Sequence, residues 1–546
     1  MQKHRMFSAA ASGAVMALAI FDPGRAQTSP TEFEQRMDPA VSGEVETPPK
    51  PENELPSASA EVEAGKIPAT PITSIRFEGT DVPAIVADAA RPFVGRTASA
   101  EVLKELAAAM SAAYGKSSVA LFTLVIPEQN FAGGVVRVRV AEGFIEKVIL
   151  SGEVEGREHE LVKAYAKRIT EERPTSRAVL ERYLSLINDI LGLKAEPKLK
   201  LGRQPGAVRL HLKLDYQRPT VSFGFNNRTT GLFEHGQFSA EGKAYRLLRD
   251  GDETRLNLAA SVDFDDYLYA GLQHSTPIGG DGVRLDISAA ALTSRPNNTP
   301  VEGDAQIYAI GVSYPLLRSY RRNIMLRASF DALNSDNAAF GSLIATERTR
   351  AARLSARYTQ TSKTQSFSVT SGLSRGFDAL DAEVTAPYGE AEYFKASTSA
   401  SLSQKVSEGF FMRLNAAGQW TNDRLPANER FSLGGDNFGR GFNTSVVNAD
   451  RGFALLAEPA FRPIRQGVFA HSEVYAFADY AQADILSRGL MAQQTVDLGS
   501  YGFGVRAAFK KKAVIDFGVA KSYDKPYPTT DDDWLFSIKW RVNTKA

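Results

Sequence analysis

Hydrophobic and polar positions change rhythm near residue 220 of this chain. Before that point, strand and helix periods take turns. Ile72, Ser74 and Arg76 alternate with Thr73, Ile75 and Phe77, which predicts a strand. From Ser99 to Gly115, Val102, Leu103, Leu106, Met110 and Tyr114 fall near helical spacing, with Ser99 placed to cap the helix. Residues 121–127 and 133–143 predict two more strands. The pattern then recurs. Residues 144–152 predict a strand, and residues 176–190 a helix with Val179, Leu180, Tyr183, Leu186, Ile187 and Ile190 on one broad face. In residues 207–216, Val208, Leu210, Leu212 and Leu214 alternate with Arg209, His211 and Lys213, as in a half-buried strand. Two small α+β modules in tandem, residues 71–143 and 144–216, are expected.

From residue 217 onward the pattern predicts strands alone. Leu256, Leu258, Ala260, Val262 and Phe264 share one face of a segment whose other face is mostly polar. Tyr501, Phe503, Val505, Ala507 and Phe509 do the same, as do Trp534, Phe536, Ile538 and Trp540. Clusters of Gly, Asn and Asp separate these runs. Alternation also suits a soluble antiparallel sheet, such as a propeller. Three features favour a membrane barrel. The strands approach the roughly 9–11 residues needed to cross a bilayer at a tilt. Aromatic residues mark several strand ends. No helical layer interrupts the region. At about 20 residues per strand and loop, residues 217–546 accommodate about 16 strands. The expected fold is a transmembrane antiparallel β-barrel preceded by the two modules.

The N-terminus changes the picture of where such a barrel would sit. Lys3 and Arg5 precede an apolar stretch from Met6 to Phe21, and Gly24-Arg25-Ala26 offers a small-residue cleavage point. Residues 1–26 therefore read as a secretory signal peptide, the alternative being an N-terminal anchor. Residues 27–70 are rich in Pro, Glu, Ala and Ser, as in a flexible linker, with a short helix conceivable at 29–37.

Composition mainly excludes. A net charge of +1 speaks against a nucleic-acid-binding surface. The absence of cysteine rules out disulfides, Fe–S clusters and thiolate metal sites. The six histidines show no metal-ligand spacing, so no metal or cofactor is expected. Gly372-Leu373-Ser374-Arg375-Gly376 matches a nucleophile-elbow pattern, but no helix follows it, and no enzyme activity is expected. Lys510–Lys512 reads as a basic strand end, with contact to anionic lipid heads as an alternative.

Three stretches carry a family likeness. Tyr114–Gly152, with Tyr114-Gly115, Ile126-Pro127-Glu128-Gln129, Gly134 and Glu142-Gly143, resembles the junction between the two POTRA domains of TpsB transporters. These are the outer-membrane proteins of two-partner secretion, the haemolysin secretion/activation proteins of ShlB/FhaC/HecB type, within the Omp85 superfamily. Gly224–Phe238 resembles the first barrel hairpin of that family, and Gly434–Phe442 resembles the Arg-Gly-Phe/Tyr motif of its sixth extracellular loop. The likeness spans roughly residues 70–540.

The resemblance implies that this loop folds into the lumen and that Arg440, Gly441 and Phe442 form a latch there. It implies that Arg440 pairs with Asp479, which by alternation shares a face with Glu473, Tyr475 and Phe477. Gly439 stands where the family more often has an apolar residue. The resemblance also implies a Gram-negative outer-membrane location with periplasmic POTRA domains, and a short plug helix near 29–37. The function implied is export of an unfolded TpsA-like exoprotein. The client is expected along the helix and edge strand of the first module, at Leu103, Leu106, Met110, Tyr114, Leu121 and Leu124. Further expected partners are outer-membrane lipid and, during biogenesis, the barrel-assembly machinery; the chain is expected to be a monomer. Alternatives are an insertase of the same superfamily, a passive porin with periplasmic domains, and a lipid or polysaccharide exporter. The chain end is open too: either pairing stops within residues 534–540, or it continues to Val542.

Overall fold

A computed structural model describes residues 60–62, 70–153, 159–204, 206–228, 236–297, 299–510, 512–528, 530 and 533–545. The expected signal peptide, most of the linker and the helix expected at 29–37 lie outside these residues.

The first module is a four-stranded sheet in the order Ala60–Val62, Phe122–Ile126, Val135–Glu142, Ser74–Glu78. Helix Ala100–Tyr114 begins where Ser99, in extended conformation, accepts the Val102 N–H at 3.2 Å. Its apolar stripe of Leu103, Leu106, Met110 and Tyr114 packs on Leu124, Ile126, Val136 and Val138. This overturns the expected client groove. Leu103, Leu106, Met110, Tyr114 and Leu124 are at most 1% exposed and form the module's own core. Leu121 is buried in the core of the second module. The helical spacing that suggested a binding face is the spacing of a core face.

Chain before the module supplies its edge. Ala60–Val62 pairs in parallel with Phe122–Ile126, Glu61 opposite Val125.

The second module orders its strands Phe144–Gly152, Ala207–Tyr216, Leu193–Leu201 and packs helices Glu160–Thr170 and Arg177–Asn188 against them. Ser176 caps the latter helix by accepting the Val179 N–H at 3.3 Å. The same helix docks on the barrel. Arg182 donates to the carbonyls of Pro315 (2.8 Å) and Asp281 (3.2 Å), and the Tyr183 hydroxyl donates to Asp281 Oδ1 at 3.0 Å. At its C-terminal end Asp189 accepts Arg318 Nη2 at 2.6 Å.

Sixteen antiparallel strands, from Thr220–Asn226 to Leu535–Lys545, follow one another around a closed barrel. Its first hairpin pairs Thr220–Asn226 with Gln237–Tyr245. Among the described residues beyond 219, the only regular helix is a 3-10 turn, Ala427–Glu429. The last strand closes on the first in a register running from Lys539 opposite Asn226 to Lys545 opposite Thr220. Residues past Trp540 are therefore strand, and pairing runs beyond Val542. Outward positions such as Tyr501, Phe503 and Val505 are exposed and apolar, whereas Arg506 and Glu473 face inward. Apolar out and polar in is the pattern a lipid-facing wall requires.

Candidate functional site

Between strands Phe410–Trp420 and Arg451–Phe461, residues 421–450 fold back into the lumen. Two sets of contacts hold them there.

At the base, Asp450 Oδ1 accepts the Leu425 N–H at 2.8 Å, and Arg488 Nη2 donates to the same oxygen at 2.5 Å. Glu347, on strand Ser342–Thr361, accepts the N–H groups of Ala427 (3.0 Å) and Asn428 (3.2 Å). Glu429, in the 3-10 turn, is 1% exposed and sits between Arg353 at 2.6 Å and Lys395 at 2.7 Å. A buried carboxylate is tolerated only with such partners.

At the tip, Gly439 has φ +70°, a left-handed conformation that favours glycine. A Cβ there would meet Leu498 Cδ1 at 2.6 Å, so the apolar residue of the family motif does not fit this chain as built. A Cβ on Gly441 would meet Ser500 Cβ at 2.7 Å and Ser522 N at 2.9 Å, so the backbone lies against the wall. Phe442 is buried with Leu433 and Val447 of the loop and Leu498 of the wall. Its carbonyl accepts Arg228 Nη2 at 2.5 Å.

Arg440 and Asp479 meet, but not as the expected ion pair. Asp479 Oδ2 accepts the Arg440 backbone N–H at 3.0 Å, and Oδ1 accepts the N–H and hydroxyl of Ser500 at 3.1 and 2.7 Å. The Arg440 guanidinium reaches past it to Glu458 Oε2 at 2.6 Å and lies over the Phe477 ring at 4.9 Å. Both oxygens of Asp479 are held by three N–H or O–H donors, and the guanidinium instead joins Arg413 and Arg506 at Glu458.

These charges form a network. Arg413 Nη1 and Arg506 Nη1 reach Glu458 Oε1 at 2.7 and 2.8 Å, and both residues also reach Glu473 at 2.8 Å. Arg506 Nε continues to Asp516 at 2.9 Å, which the Tyr475 hydroxyl also meets at 2.7 Å. The family resemblance singled out Arg440 and Asp479 but passed over Glu458, Glu429 and Glu347. Charged residues are ordinary on a lumenal face, so nothing local in the sequence set these three apart.

The fold and this site define a class: a transmembrane barrel whose lumen is filled by its own loop, with small α+β modules at one mouth. Residues 205–507 match the family of haemolysin secretion/activation proteins ShlB/FhaC/HecB, and residues 70–143 match the ShlB-type POTRA domain. The chain belongs to this haemolysin secretion/activation family, the TpsB transporters of two-partner secretion within the Omp85 superfamily. Barrels of this superfamily lie in the outer membrane with their POTRA domains in the periplasm.

The heme/hemopexin transporter protein HuxB of Haemophilus influenzae is 22% identical over 97% of this chain and 96% of the relative. CdiB from Escherichia coli superposes with a TM-score of 0.68 at 18% identity, over 93% of this chain and 96% of that one. BamA from Haemophilus ducreyi lacking POTRA domains 1–3 gives a TM-score of 0.54 at 12% identity, over 87% and 100%. At these identities the two structures establish the shared fold.

Proposed function

We propose that the protein captures an unfolded exoprotein of haemolysin or adhesin type in the periplasm of a Gram-negative cell and passes it through its barrel to the surface. One observation carries the reading: a loop seated in the lumen by polar contacts at both base and tip. Sixteen strands enclose more space than their own side chains fill. Withdrawing the tip opens a polar path that admits an extended chain. Arg440, Gly441, Phe442 and Asp479, with Glu458, form the latch in this scheme. Folding of the client outside supplies the free energy. The transporter acts as a monomer among outer-membrane lipids, having been inserted by the barrel-assembly machinery.

The client first meets the sheet edge of the first module, not its core. Strand Phe122–Ile126 accepts a parallel partner on the side where Ala60–Val62 now lies. An extended client has the backbone groups to take that place by strand addition. In this reading the linker holds the edge until a client displaces it.

The test compares the secreted and surface proteome of a deletion strain with its parent. Loss of one large exoprotein, restored by the wild type and at least tenfold less by Arg440→Ala, is the expected outcome. An unchanged exoproteome with general loss of outer-membrane barrels would instead identify an insertase.

A further inference from the structure

Asp436 lies where the two ends of the barrel meet. Its Oδ2 accepts Asn226 Nδ2, on the first strand, at 3.0 Å. Its Oδ1 faces Lys539 Nζ, on the last strand, at 3.4 Å, and Arg228 Nε, just past the first strand, at 3.9 Å. Asp436 itself belongs to the loop tip, so one carboxylate joins three distant stretches of chain.

The junction it spans is unlike the others. Among the sixteen strands of the wall, every other neighbouring pair is consecutive along the chain, the two-residue strand Glu383–Val384 aside. The seam joins strands at the two ends of the barrel sequence, so its pairing carries the largest loop-closure cost and no covalent turn supports it. Its residue-by-residue register ends at Asn226 and Lys539, both of which Asp436 contacts. One step beyond, the Asn227 N–H donates to the Ile538 carbonyl at 3.2 Å and the Asn227 side chain bridges Ile538 and Phe536, so Asp436 acts on a short terminal stretch. Lower down, a bridge independent of the loop exists. Arg541 Nη2 reaches over the first strand to Glu241 Oε1 at 2.9 Å, on the second, and donates to Ser222 Oγ at 3.2 Å.

We propose that Asp436 is a positioning residue that clasps the seam: the loop tip that fills the lumen also completes the wall around it. The clasp acts on the Asn226 end of the seam, while Arg541 secures the Thr220 end. Withdrawal of the tip therefore loosens the seam from its outer end without unzipping the barrel.

Amide hydrogen exchange on the full-length protein in lipid nanodiscs reads this directly. With Asp436→Ala, exchange is expected to rise at least tenfold in peptides covering Thr220–Asn226 and Leu535–Lys545, most strongly near Asn226 and Lys539. Exchange in Gln365–Gly376, elsewhere in the wall, is expected to stay unchanged. A rise confined to residues 434–442, with the seam unaffected, overturns the proposal, because Asp436 would then hold only its own loop. Lys539→Gln leaves the loop intact and supports the test should the first variant not fold. It is expected to raise exchange in the same two peptides severalfold, and no rise there overturns the proposal equally. In the double variant the seam should exchange no faster than in Asp436→Ala alone; additive acceleration also counts against the clasp.

Discussion

Arg413, Arg440 and Arg506 converge on a single carboxylate, Glu458. Removing its charge leaves three inward-facing cations short of a partner, and breaking such a set costs about 3 kcal/mol where water is scarce. Glu458→Gln should therefore lower the temperature at which the folded barrel converts to its unfolded form in SDS gels. Asp479→Asn keeps one acceptor oxygen and loses the other, so either the Arg440 N–H or Ser500 loses its partner, which should cost about 1 kcal/mol. A larger shift for Asp479→Asn than for Glu458→Gln would return Asp479 to the place of Arg440's main partner. At this scale the motif made Arg440, Gly441 and Phe442 legible from sequence. The destination of the guanidinium was not legible, because it depends on which lumenal carboxylates the fold brings within its reach. Gly441 is a point of close approach: a Cβ on it would meet Ser500 Cβ at 2.7 Å.

As an element, the loop depends on its base as much as on its tip. Glu429 accepts from Arg353 and Lys395, which come from two different strands. Glu429→Ala takes the carboxylate partner from Lys395, leaves Arg353 with Asp331 alone, and frees the segment beside them. Trypsin added outside the cell should then cut at Arg430 or Arg440 at least tenfold faster than in the wild type; equal resistance would show that the base does not hold the loop. Strand alternation located the barrel wall well but overran its ends. The face expected to continue through Val262 and Phe264 stops at Ser261, where strand Glu253–Ser261 ends. Phe264 lies in the turn beyond with φ +63°, and period-two spacing carries no information about where pairing stops. At the other end, where the sequence left open whether pairing stops by Trp540 or reaches Val542, Arg541–Lys545 pair with the first strand, and Arg541 bridges to Glu241.

Across the whole molecule, the two modules and the barrel were visible in the change of period, whereas the contacts between them were not. Arg182 and Tyr183 sit on a helix whose apolar face gave it away, but their partners are turns near residues 281 and 315. The parallel strand at Ala60–Val62 was hidden within a linker composition. Its register with Val125 makes a prediction. Glu61→Pro removes a backbone donor and disfavours the extended pairing. If linker and client compete for the edge, a client fragment should bind the full-length transporter several-fold more tightly in this variant. Unchanged or weaker binding would place the client elsewhere.

The barrel wall is also uneven in height. Strands Arg322–Ala339 and Ser342–Thr361 have 18 and 20 residues, against 7 in Thr220–Asn226. Strand Gln365–Gly376 pairs with Ser342–Thr361 only as far as Ala351, beyond which the two-residue strand Glu383–Val384 is its partner on that side. The hairpin thus continues for about nine residues above that neighbour, about 30 Å along the strand. A polypeptide leaving the pore meets a tall screen on the flank of these two strands. Its path off the membrane acquires a direction, set by strand length before any folding outside begins.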